Sequence, residues 1–386
     1  MKKRTKRLVL IGLIIIIIIL IVIFLNSLFL KKSLFDKKAN IIGNVINNMQ
    51  YECNPNPPNP TFVSDQTGNL AYCPNITNPA YPYGTGPKVL FDEGHNNWGK
   101  ISPSNMSPTG TYYALGELLK ADGYQVDINK GNLTSELLQN YKILIIIAPL
   151  PAEYMTFDNN GKVIANPDAF SGKQALSNEE VIVISNWVKS GGSLLLNAEH
   201  IPFLNSIQNL LNIFKLSTPK DFNDIIFPAQ PRLVSDSKSP ILTGRYQSEK
   251  ITSFPKLNNV GGGANLIGGG ENLAMFNWPS IKMSMTLQSA LANHQWNAYC
   301  RNNSNQTCKN LQETWLQGQS FSVVSGVVPI KTLSMDLGRV IVFSEFSTLT
   351  NLFDKSGSTT VPYGGLTNPV YTQFILNSLH WLSGLI

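Results

Sequence analysis

SNEEVIVISNWVKSGGSLLLNAEH, residues 177–200, reads as a helix running straight into a buried strand. Ser177 is an N-cap residue, Glu179 and Glu180 bring acid to the first helical turn, and Lys189 with Gly191 and Gly192 closes the last one. SLLLN then has the continuous apolar character of a strand covered on both faces. Upstream, KILIIIAPL at 142–150 has the same character, enriched in β-branched residues. KVLFDEGH at 88–95 is a third short apolar run ending in polar residues. Between these runs, Thr109–Asp122 carries Tyr112, Leu115, Leu118 and Leu119 at helical spacing and stops at Gly123. YQVDI at 124–128 adds a strand, SELLQNY at 135–141 a short helix, and GRVIVFSEFS at 338–347 a late strand. Strands separated by helices imply β-α-β crossovers, so the expected fold is α/β with a doubly wound, mainly parallel sheet of flavodoxin-like type.

Residues 8–30, Leu8 to Leu30, form an apolar run of 23 residues flanked by MKKRTKR and KKSLFDKK. At about 1.5 Å per residue, such a helix crosses a hydrocarbon core of roughly 30 Å with some tilt. A cleavable signal peptide would have a shorter core and a small-residue cleavage site, neither of which is seen. The expected organisation is a basic cytoplasmic segment at 1–7, a transmembrane helix at 8–30, a Pro- and Asn-rich tether at 31–87 and one α/β domain at 88–386. An irregular insert occupies about 255–320. The lipid bilayer is therefore an expected partner through 8–30, and the domain is expected on the periplasmic or extracellular side.

All four cysteines follow the apolar run and fall into local pairs, Cys53 with Cys73 and Cys300 with Cys308. Local pairs in loop-like stretches suit disulfides in an oxidising compartment; zinc would favour C-x-x-C or nearby His. Four free thiols in a cytosolic domain is the alternative. The net charge of +6 is misleading, because nine Lys and Arg against Asp36 alone give the first 38 residues +8 and leave −2 for the remainder. That remainder offers no basic surface for tracking phosphates, so nucleic acid is excluded as a partner.

In a doubly wound sheet, ligands gather at the carboxyl ends of the strands. Here those ends carry Asp92, Glu93, His95 and Asn96 after the first strand, Glu199 and His200 after the fourth, and Glu345 after the last. Glu93, His95, Glu199, His200 and Glu345 are the candidate catalytic residues of a hydrolytic site, with His95 and His200 the candidate ligands of a divalent metal. The D-E-x-H spacing is no known metal signature. A non-catalytic ligand pocket is the second reading, and capping of the following loop by Asp92 and Glu93 the third. Arg245 either pairs with a buried carboxylate or reaches a ligand anion. His380 reads as a packing residue of an amphipathic terminal helix, His294 as a loop residue, and the Gly-rich stretch 260–273 as a pair of turns without the context of a phosphate loop. No cofactor is called for.

VLFDEGHNNWG at 89–99, GGSLLLNAEHIPF at 191–203, SPILTGR at 239–245, GRVIVFSEFS and FILNSLHWLSGL at 374–385 together resemble the bacterial domain family DUF4350, within the class I glutamine amidotransferase-like superfamily. The resemblance spans 88–386 and is strongest at its two ends. It implies the amidotransferase-like fold; other members of the superfamily, in gliding-motility transport systems and intraflagellar-transport proteins, are regarded as non-catalytic. In true amidotransferases a cysteine nucleophile occupies a strand-to-helix elbow. The matching elbow here reads Ala198-Glu199-His200-Ile201-Pro202, without Cys, Ser or Thr, so thiolate glutaminase chemistry is not expected. Two functions remain: an envelope module that binds a polar small molecule or joins a protein complex, and an envelope hydrolase acting on a polar or glycan substrate.

Overall fold

In the computed structural model, the described residues are 51–53, 66–68, 72–102, 112–153, 155–157, 163–199, 202–217, 227–229, 232–233, 238–260, 266–277, 327–345, 347–356, 359–362 and 364–386. The 8–30 run, His200, His294, Cys300 and Cys308 lie outside them. No helix among the described residues is long and apolar enough to cross a membrane.

The core elements follow the chain as β1 (Lys88–Asp92), α1 (Tyr113–Ala121), β2 (Gln125–Asn129), α2 (Ser135–Leu138), β3 (Ile143–Ile147), α3 (Asn178–Lys189) and β4 (Ser193–Asn197), then α4 (Gln208–Ile213), β5 (Arg232–Leu233), α5 (Pro240–Thr243), β6 (Glu271–Asn277), β7 (Val327–Met335), β8 (Gly338–Phe343) and α6 (Pro369–Ser383). Eight strands form one sheet in the order β5-β6-β7-β8-β4-β3-β1-β2. From β2 to β8 every neighbouring pair is parallel, whereas β8-β7, β7-β6 and β6-β5 are antiparallel. The parallel part therefore has the flavodoxin-like order, with reversal between β1 and β3. The antiparallel extension was not legible in the alternation of strand and helix. β7 joins β8 by a hairpin turned at Asp336, whose φ of 51° is left-handed.

Period-two alternation sorts the strand side chains onto two faces. Val89, Phe91, Ile143, Ile145, Ile147, Leu195, Ile341 and Phe343 pack with α1 and α6. Leu90, Leu144, Ile146, Leu194, Leu196, Val340 and Val342 pack with α2, α3 and α4. β3 and β4 are buried along their whole length, as expected of parallel strands roofed on both sides.

α3 begins where its sequence places it. The Ser177 hydroxyl accepts from the Glu180 N–H and the Glu180 carboxylate accepts from the Ser177 N–H, a complete capping box. α6 starts with Pro369 at its first turn and Asn368 accepting from Val370 N–H, and ends at Gly384 in the left-handed region.

The stretch preceding β1 is docked onto the domain. Cys53 and Cys73 form a disulfide with Cα atoms 5.5 Å apart. Gln66–Gly68 pairs antiparallel with Leu352–Ser356, and Tyr72, Ile76, Ala80 and Tyr81 pack against the α1/α6 side of the core. Strands also occur in the first part of the 255–320 region, at Leu257–Val260, Ile267–Gly268 and Glu271–Asn277.

Candidate functional site

Asp92 and Glu93 are consecutive, so the alternation that places Leu90 on the α3 face sends them to opposite sides of the sheet. Asp92 is fully buried. One of its oxygens accepts from Asn129 Nδ2 at 2.9 Å and Gly94 N–H at 3.3 Å, the other from Asn97 Nδ2 at 3.2 Å and His95 Nδ1 at 2.8 Å. His95 turns its other ring nitrogen to Glu180 Oε1 at 2.9 Å. Glu180 in turn accepts from the Leu133 and Ser177 N–H groups. The imidazole thus bridges two carboxylates contributed by β1 and by the first turn of α3.

Burial opposes charge on His95, but Asp92 and Glu180 outweigh it and raise the imidazole pKa. Burial likewise works against Glu180, and the Leu133 and Ser177 amides together with His95 lower its pKa on balance. The two carboxylates thus favour the charged imidazole, and each ring nitrogen faces a carboxylate oxygen. In that state neither nitrogen is open to take a proton from a substrate or to hold a metal. Among the described residues, no group of three or more His, Cys, Asp or Glu side chains is arranged to hold a metal ion.

The loop after β1 also fills the place where a doubly wound sheet opens. The crevice should lie outside the carboxyl ends of β1 and β3, where the order reverses. There the loop 94–101 folds back over β3: Trp98 N–H donates to Ala148 O at 2.9 Å, Asn97 Nδ2 to Ile147 O at 3.4 Å, and Leu150 N–H to His95 O at 2.9 Å. Gly99 sits so close to Ile147 and Tyr112 that a Cβ there would overlap both. Trp98 reaches the loop after β4, its ring 6.2 Å from that of Phe203. Asn96, exposed and left-handed at φ 47°, donates weakly to Leu150 O at 3.5 Å, and Ala148 is left-handed at φ 44°. Glu93, on the other face, accepts from the Ile101 and Ser102 amides at 2.9 Å each and from the Ser102 hydroxyl at 2.7 Å.

Glu199 and Glu345 form a separate pair. They stand two residues beyond the adjacent parallel strands β4 and β8, are 1% and 0% exposed, and follow Asn197 and Phe343, which are cross-strand partners. Glu345 accepts from the Ser347 and Thr348 N–H groups at 2.7 and 2.9 Å and from the Thr348 hydroxyl. Its backbone oxygen receives Asn197 Nδ2 at 2.8 Å. Burial pushes its pKa up, against the Thr348 hydroxyl, and the nearby Glu199 pushes in the same direction, to about 7. This pair belongs to the α6 side, since Glu345 is felt electrostatically by Tyr371. Glu199 stands two strand positions from β1 and Glu345 three, or roughly 10 and 14 Å at about 4.8 Å per strand. Among the described residues the candidates therefore do not meet at one centre: Asp92 and His95 face α3, whereas Glu93 and the Glu199–Glu345 pair lie on the other face, Glu93 apart from that pair.

Arg245 lies in neither cluster. Its guanidinium clasps Glu249, with Nη2 to Oε1 at 2.6 Å and Nε to both oxygens at 3.1 and 3.2 Å, and donates to Asn78 O. The paired-carboxylate reading of Arg245 is what the structure shows. His380 pairs with Asp122 at 2.8 Å, both fully buried, and Asp122 receives the Ala80 N–H at 2.7 Å. Glu180 was missed as a member of the His95 cluster, because an acid in the first turn of a helix already accounted for it locally.

No protein-family model matches the chain, and no curated protein matches it. Among solved structures it is similar to a cytoplasmic protein of Salmonella typhimurium LT2, at 14% identity and TM-score 0.39 over 76% of this chain and 99% of that one. It is similar also to the mmIFT52 N-terminal domain, at 13% and 0.41 over 77% and 97%, and to a ThuA-like protein of Bacteroides uniformis, at 10% and 0.38 over 78% and 95%. Nothing about the chemistry of those proteins transfers at such values.

Proposed function

We propose that this chain is a membrane-tethered module of the cell envelope whose amidotransferase-like domain recognises a polar ligand or a partner protein and performs no turnover. The observation that carries the reading is the plugged crevice at the β1/β3 reversal, where the loop 94–101 occupies the expected ligand position and His95 is locked between Asp92 and Glu180. A hydrolase working through His95 needs a ring nitrogen free to exchange a proton with substrate, and here both are engaged. The elbow sequence Ala198-Glu199-His200, without a nucleophile, supports the same reading. The apolar run at 8–30 and its basic flanks support the tether.

The test compares the full chain with its His95→Gln variant for release of nitrophenol from neutral aryl glycosides and aryl esters, alongside thermal melting. We expect no turnover by either protein and a lower Tm for the variant. Turnover by the native chain that disappears in His95→Gln at unchanged Tm would overturn the proposal.

A further inference from the structure

A cleft of about 400 Å³ opens between the stretch following Cys73 and the first turns of α6. That volume falls in the range of about 300–1,000 Å³ typical of small-molecule sites. Its rim carries Asn75, Thr77, Asn78, Asn368, Thr372 and Gln373, all uncharged and all able to donate or accept hydrogen bonds. Ile76, Leu366 and Leu376 give it an apolar floor. Leu366 and Leu376 belong to the core itself, so that floor is part of the rigid body of the domain. The opposite lip is tied down by the Cys53–Cys73 disulfide and by Arg245, whose guanidinium donates to the Asn78 and Pro79 carbonyls.

Charge is the discriminating property. Glu249 is the one ionisable carboxylate in the lining, and Arg245 neutralises it through both oxygens. Tyr72 also lines the cleft and stays protonated, burial pushing its pKa up to about 12 against a hydrogen bond from its neighbour Thr372. A helix N-terminus ordinarily invites an anion. The start of α6 offers few free donors, since Pro369 has no N–H, Val370 N–H is spent on the Asn368 side chain at 2.9 Å and Thr372 N–H on Asn368 O at 3.0 Å. What remains is a concave surface with an apolar base, many neutral hydrogen-bonding groups and no net charge.

We infer that this cleft between residues 72–78 and the start of α6 binds a neutral, hydroxyl-rich ligand, a short uncharged glycan. The inference rests on the recognition reading above and gives it a place and a ligand class. Hydroxyl groups donate and accept at once, which suits the amide and hydroxyl side chains of the rim, and the C–H faces of sugar rings suit the Ile76, Leu366 and Leu376 floor.

Titration calorimetry on the full chain in detergent micelles tests this with maltotriose, cellotriose and triacetylchitotriose as neutral probes and trigalacturonate as the anionic one. At least one neutral trisaccharide should bind saturably, at least tenfold more weakly to Gln373→Leu and not measurably to Thr77→Trp, which fills the cleft from its exposed rim. Leu337→Ser, at the β7–β8 hairpin beside the end of α3, should leave binding unchanged. Binding of none of the neutral probes, or tighter binding of trigalacturonate, overturns the ligand class. Binding that survives Thr77→Trp overturns the cleft assignment while leaving the recognition reading in place. Cleavage of a bound trisaccharide, followed by chromatography of the products, overturns the recognition reading itself.

Discussion

His95 holds together three parts of the chain that are distant in sequence: the end of β1, the start of α3 and, through Glu180, the Leu133 amide. Removing one member of a buried charged network leaves the others without compensation, at a cost of about 3–5 kcal/mol. His95→Ala should therefore lower stability by about that amount in chemical denaturation. The pH dependence has a definite sign. A raised imidazole pKa contributes stability that is complete below the unfolded value near 6.5 and is lost as pH rises through the folded value. The gap between native chain and His95→Ala should accordingly be widest near pH 6 and narrow toward pH 9; a gap that widens with pH would show the histidine to be neutral in the fold. Glu345 behaves in the opposite sense to an ordinary carboxylate. Its pKa is raised from 4.5 to about 7, so the folded state holds a proton that the unfolded state releases, and stability falls between those pH values by roughly 3 kcal/mol. Glu199→Gln removes the neighbouring negative charge and should move the Glu345 titration below 7, read by carbon NMR of the carboxyl group. An unmoved titration would mean that burial alone sets the value.

Elements differ in how openly the sequence announces them. α3 was legible to the residue, because a Ser-x-x-Glu box, an apolar stripe and a Gly pair are all local signals. β1, β3, β4 and β8 were legible as apolar runs, and the polar residues that follow β1, β4 and β8 do stand at the carboxyl edge. Which face each final residue takes follows from alternation, yet the partner it meets there does not, since Glu180 is 85 residues from His95. β6 and β7 escaped notice because ENLAMFN and VVPIKTLSM mix polar residues and a proline into their strands, as the antiparallel margin of a sheet allows. The site was legible as a list of residue types and illegible as geometry, for loop 94–101 folds over β3 largely through backbone hydrogen bonds that no side-chain pattern encodes. α5 supplies a test at this scale. Gly244 follows it at φ 64°, and a Cβ there would stand 2.5 Å from Glu249 Cβ. Gly244→Ala should destabilise the chain by more than about 1 kcal/mol, through left-handed strain and displacement of the Arg245–Glu249 pair. A Tm equal to that of the native chain would show that this turn relaxes freely.

The molecule as a whole joins a basic, apolar N-terminal segment to a domain whose own charges balance. Such a division suits a chain that meets lipid headgroups at one end and an aqueous compartment at the other. The docked stretch before β1 bears on where that domain resides. Cys53 and Cys73, 20 residues apart, are bonded to each other, and a disulfide of that span persists in an oxidising compartment and stabilises by about 3 kcal/mol in the loop-closure account. With the disulfide in support, we propose an orientation with residues 1–7 in the cytoplasm and 88–386 outside it. Two measurements on the full chain in its native membranes test this. The chain should remain in the membrane pellet after alkaline carbonate washing, through its 8–30 segment. Protease added to intact spheroplasts should then remove the domain and leave a short N-terminal fragment, while maleimide labelling of Cys53 and Cys73 should require prior reduction. A carbonate-soluble chain refutes the anchor. A domain shielded from protease, with both thiols labelled at once, refutes the orientation and with it the placement of the recognition surface in the envelope.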